Sequence, residues 1–229
     1  MRTGPAFAGF SHAQAVLDAL DVELDGRGRL PGLDPGAPPG AWLGDVVQAV
    51  PDWRQALADG LVERLRLLPP DAAYVALRLL GGGLQSARLA GQLLEAVEHL
   101  GPVPQAEAFL LAARCLAQGE PPGALAKVQA LWPRHPAVWV VWQALAPTDA
   151  LPHLAAALNR ADATQAQALA VAATQQREGI LAVAGLAAAL AAPLQEPVAR
   201  VVRAALNGAF ARDKALREQV DKLWPQRLR

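Results

Sequence analysis

Apolar residues recur along most of this chain at intervals of three and four, the period that puts them on one face of a helix. Trp53, Leu57, Leu61, Leu65 and Leu68 form the clearest such stripe, with Arg54, Asp59, Glu63 and Arg66 on the other faces. Proline and glycine cut the pattern into helix-length blocks. The expected helices are Ser11–Leu20, with Ser11 as its N-cap, Ala41–Ala49, Pro51–Leu68, Asp71–Leu80, Leu84–Leu100, Gln105–Gln118, Gly123–Trp132, Pro136–Ala146, Asp149–Asn159, Thr164–Arg177, Ile180–Ala191, Glu196–Leu206 and Arg212–Trp224. Gly101-Pro102-Val103-Pro104 is read as a stop, and Asn207-Gly208 as a C-terminal helix stop. One stretch alternates instead: Val22–Leu30 around Asp25-Gly26, a tight-turn dipeptide, gives a possible β-hairpin. Residues 31–40 (PGLDPGAPPG) read as a linker, because proline fixes φ and lacks a donor. The expected organisation is therefore an N-terminal segment, 1–40, and a helical domain, 41–229.

Composition supports the helical reading. The chain has 229 residues, 53% hydrophobic and 5% aromatic. Alanine and straight-chain residues, which lose little side-chain entropy in a helix, outweigh β-branched ones. Short connections make successive helices antiparallel neighbours. The fold expected is all-α: an irregular stack of antiparallel helix pairs.

Segment 108–136 resembles a tetratricopeptide repeat. The positions that carry the resemblance are Ala108, Leu111, Ala112, Cys115, Ala124, Val128 and Pro136, with a turn glycine at Gly119. Smaller residues stand at three bulky places: Ala108 for the usual Trp, Cys115 for Tyr and Val128 for Phe. Gly82 and Ala87 repeat the offset of Gly119 and Ala124, 37 residues earlier, close to the family period of about 34. The remaining pairs are degenerate. The resemblance implies an α-solenoid whose concave face receives Ala106, Phe109, Ala113 and Leu116. The Lys, Asn and Arg with which family members clamp a peptide carboxylate are missing from those positions, which leaves an apolar groove or simple burial.

The chain shows little sign of catalysis. His12, His99, His135 and His153 lie at no zinc-ligand spacing. Cys115 sits among Leu111, Ala112 and Leu116 and reads as a small buried hydrophobe. Neither Ser11 nor Ser86 sits in a nucleophile elbow, and neither Gly26-Arg27-Gly28 nor Gly81-Gly82-Gly83 has the companions of a phosphate loop. The acidic run Asp18, Asp21, Glu23, Asp25 lacks calcium-loop spacing. No metal, cofactor or catalytic residue is expected.

Charge and aromatic residues suggest surfaces instead. The net charge is zero, but residues 1–100 hold eight Lys/Arg against twelve Asp/Glu, and residues 200–229 hold eight against three. Phe109, Trp139 and Trp142 are the candidate anchors of a protein-binding face, although the face that Trp139 and Trp142, three apart, share reads more readily as core. They could also form a dimer seam. Of the C-terminal cations, Arg203, Arg212 and Lys214 are expected to remain outside the acid-first pairs Glu196–Arg200, Asp213–Arg217 and Glu218–Lys222. The leading expectation is a non-enzymatic interaction or scaffold protein that binds a protein or peptide. The alternative is nucleic-acid binding through residues 200–229. The longest uncharged apolar run, Gly179–Leu194, is short for a bilayer, no secretory signal is evident, and one cysteine excludes an internal disulfide. A cytoplasmic protein is expected.

Overall fold

The computed structural model describes residues 10–28, 36–174, 180, 181, 184 and 196–223. Among these every regular element is helical. Backbone contacts divide the chain into two compact units, Met1–Pro121 and Pro122–Arg229.

The first unit contains α1 (Ala13–Leu24), α2 (Leu43–Ala49), α3 (Arg54–Leu65), α4 (Pro70–Gly81), α5 (Ala87–Ala96) and α6 (Pro102–Cys115). Sequential helices touch, α3 with α4 and α5 with α6. The next contacts skip one helix: α1 with α3, α3 with α5, and α4 with α6. Leu17, Leu20, Leu57, Leu61, Leu65, Leu77, Leu80, Leu89, Leu93 and Phe109 fill the space between them. The expected stripe at Leu57, Leu61 and Leu65 is thus the buried face of α3.

The possible hairpin at 22–30 does not form. Val22, Glu23 and Leu24 complete α1, and Asp25-Gly26 closes it. The Gly26 N–H donates to the Glu23 carbonyl at 3.1 Å, and the Arg27 N–H to the Val22 carbonyl at 3.0 Å. Gly26 has φ 68°. These two bonds around a left-handed glycine are a Schellman cap, which satisfies helix carbonyls that would otherwise be orphaned. An Asp-Gly pair serves this end as readily as a hairpin. Burial decided the outcome, because Val16, Leu17, Leu20 and Glu23 share the inward face of one continuous helix.

Two further expectations are corrected. The preceding helix does end before Gly101, but Pro102 and Pro104 are more than a stop: they lie in the first turn of α6. The donor that proline lacks has no intrahelical partner there in any case. His12 rather than Ser11 caps α1, its Nδ1 accepting from the Ala15 N–H at 3.0 Å.

The second unit contains α7 (Ala124–Leu131), α8 (Trp139–Leu145), α9 (Pro147–Ala150), α10 (Leu154–Arg160), α11 (Ala163–Ala173), α12 (Glu196–Arg212) and α13 (Lys214–Leu223). Helix α8 packs on α7, α9 and α11, and α12 packs on α11 and α13. Asp162 and Gln165 cap α11 reciprocally. Helix α12 runs straight through Asn207-Gly208, the expected stop. Its apolar stripe, Val198, Val202, Leu206, Ala209 and Phe210, is buried on both sides of that pair. This burial outweighs the roughly 1 kcal/mol that a helical glycine costs.

Of the expected helix 180–191, Ile180, Leu181 and Ala184 are described, and all three are helical. The rest of the apolar run 179–194, and Trp224, lie outside the described residues. No helix among the described residues is long and apolar enough to cross a membrane.

Candidate binding cleft

Helices α11, α12 and α13 enclose an open cleft of about 550 Å³. Helix α12 forms its floor with Ala205, Gly208, Ala209 and Arg212, at relative positions 0, 3, 4 and 7 and so on one face. Val171 and Thr174 line a second wall with Ile180, and Leu216 of α13 lines a third. Val171 is 43% exposed, unusual for an apolar residue on a packed helix. A Cβ added to Gly208 would meet no other atom within 4 Å, so the floor is open at that point.

The polar groups of the cleft are few. The Thr174 hydroxyl donates back to the Ala170 carbonyl at 2.8 Å. Asp213 Oδ1 accepts the Leu216 N–H at 2.9 Å, which commits this carboxylate to the start of α13. Arg212 is exposed and, among the described residues, makes no ion pair. Among the described residues the lining is therefore mainly apolar, with Arg212 at its edge making no ion pair.

The expected anchors lie elsewhere. Phe109 and Trp139 have no exposed surface, so both are core residues and present no area to a partner. Trp139 Nε1–H donates to the Ala150 carbonyl at 2.6 Å, which ties α8 to α9. Trp142 is 6% exposed. It stacks on His153 with ring centres 4.8 Å apart and meets the edge of Trp132 at 5.6 Å. The Arg160 guanidinium lies 5.2 Å over the Trp132 ring and donates to the Trp132 and Pro133 carbonyls. His153 belongs to a 3₁₀ turn that leads into α10. The seven positions that carry the repeat-like pattern, Ala108 through Pro136, are all buried.

The C-terminal cations differ from expectation in two respects. Arg203 is not left over: its Nη2 reaches both Glu196 oxygens, at 3.0 and 3.2 Å. Arg200 lies 3.9 Å from the same carboxylate. Arg217 faces Asp221 at 3.8 Å rather than Asp213. Arg212 and Lys214 remain exposed and, among the described residues, without an ion pair.

Cys115 is buried at the end of α6. Burial pushes its thiol up from the ordinary range, against smaller opposing effects of the Ser86 backbone and Arg114. A thiol held in this way is a poor nucleophile. Among the described residues no three His, Cys, Asp or Glu side chains are grouped to hold a metal ion. Comparison with family models, with curated proteins and with solved structures gives no match to this chain.

The cleft itself was not anticipated from sequence. Its signal is the run of small residues Ala205, Gly208 and Ala209 ahead of Arg212, and reading Asn207-Gly208 as a helix end concealed it.

Proposed function

We propose that this chain is a non-enzymatic protein-binding scaffold, an irregular stack of helix pairs of tetratricopeptide-like character, and that it engages its partner through the cleft between α11, α12 and α13. The observation that carries this reading is the cleft's lining among the described residues: mainly apolar walls, an open floor, and Arg212 without an ion pair. A groove of this kind suits the apolar face of a partner helix, and its described lining residues do not supply a nucleophile paired with a general base. The skip-one contacts of α1, α3, α4, α5 and α6 support the stacked-pair part of the reading.

The test is affinity capture from native lysate with the wild-type chain and with Gly208→Trp, which fills the cleft floor. A partner retained by the first and lost by the second is expected. If everything captured is shared by both, the cleft is not the binding surface and the reading fails. Retention on bulk DNA that falls steeply with salt would favour nucleic acid instead. With Arg203 and Arg217 each facing a carboxylate, no such retention is expected.

A further inference from the structure

We infer that the occupant of the α11–α12–α13 cleft is an acidic amphipathic helix of a partner protein. The inference rests on the binding role proposed above and names the chemistry of the partner.

Three features carry it. The first is the floor. Ala205, Gly208 and Ala209 are small and lie on one face of the 17-residue α12. Small residues let a second helix approach to the close end of the 8–10 Å interaxial range. The second is volume. A cavity of about 150 Å³ accommodates one benzene, and the cleft encloses about 550 Å³. It therefore has room for three or so large side chains, the number that an amphipathic helix presents at i, i+3 or i+4, and i+7. Val171, 43% exposed, supplies the main apolar contact for them, with the largely buried Ile180 and Leu216 behind it.

The third feature is charge. Arg212 stands at the cleft edge and Lys214 two residues beyond it, both exposed and, among the described residues, unpaired. The Asp213 carboxylate between them caps α13, where the helix N-terminus offsets its charge. Among the described residues the edge is thus net positive, and a helix with Glu or Asp flanking its apolar face complements it. A nucleic acid fits less well. Phosphate backbones need several unpaired cations in a row, and among the described residues Arg212 alone lines these walls.

The test uses the full chain and three labelled synthetic peptides in a polarisation titration. One has a leucine face flanked by Glu, the second has Lys in place of Glu, and the third is a scramble of the first. The Glu peptide should bind and the other two should bind at least tenfold more weakly. Arg212→Glu should weaken the Glu peptide about tenfold and strengthen the Lys peptide, which reads charge at an exposed position that folding does not need. Gly208→Trp should abolish binding of both, with circular dichroism verifying its helices. Equal binding of the Glu and Lys peptides, sensitive to Gly208→Trp, would overturn the acidic partner and leave the cleft reading intact. Peptide binding indifferent to Gly208→Trp, or no binding of any peptide, would overturn both. A concentration-dependent dimer in gel filtration that Gly208→Trp abolishes would place a second copy in the cleft and overturn the inference.

Discussion

Glu23 is a charged residue in a buried place, and its partners explain why it is tolerated. One oxygen, Oε2, accepts both the Gly40 N–H at 2.8 Å and Trp42 Nε1–H at 3.0 Å. A single side chain of α1 thereby anchors the end of the Pro/Gly-rich segment, with Phe10 stacked on Trp42 at 5.6 Å. Gly40 is in the left-handed region, φ 70°, and a Cβ there would come within 2.5 Å of Leu79 and 2.7 Å of Leu20. Glu23→Ala would leave two buried donors without this acceptor, each worth about 1–3 kcal/mol. We expect a loss of roughly 2–4 kcal/mol in urea unfolding, and a smaller loss for Glu23→Gln, which keeps an acceptor. Cys115 gives a pH prediction. Its folded pKa is raised, so the stability it contributes is complete below the unfolded thiol pKa and falls as pH rises toward the folded value. Between neutral pH and mildly alkaline pH the wild type should therefore lose more stability than Cys115→Ala. Parallel pH dependences for the two proteins would contradict this.

At the scale of elements, Gly208 is the informative position. It lies inside α12 with open space around it. Gly208→Ala should raise stability by about 0.5–1 kcal/mol, since alanine loses less backbone entropy and meets nothing. A lower unfolding midpoint would show that the glycine is needed for packing. The same position shows what the sequence disclosed and what it hid. Helical periodicity located the blocks and the buried stripe of α3, because burial follows the 3.6-residue period directly. Local dipeptides misled. Asp25-Gly26 and Asn207-Gly208 are compatible with several backbone fates, and long-range burial chose between them. Pro102 and Pro104 mark the break between two helices, as expected, but they belong to the first turn of the second. The aromatic anchors were misplaced for a related reason. Phe109 and Trp139 have the chemistry of a binding surface and equally of a core, and only tertiary packing separates the two. The cleft draws on α11, α12 and α13 together, a conjunction no local window contains.

At the scale of the whole chain, each compact unit has a core of its own. Leucines from α1, α3, α4 and α5 fill the first, and Trp139, Leu154, Leu158 and Leu169 the second. Fragments 1–121 and 122–229 should each give a helical circular dichroism spectrum and a cooperative melt. A fragment with a coil spectrum would show that its core does not suffice. The division falls at Pro121-Pro122, inside the segment 108–136 whose spacing is repeat-like. The second unit also carries a built-in reporter. The indole proton of Trp139 has no solvent access and is held by the Ala150 carbonyl at 2.6 Å. In heavy water it should exchange only when that unit opens, and its resonance should therefore outlast that of the partly exposed Trp132 in a nuclear magnetic resonance time course, as a clock for the unit's unfolding.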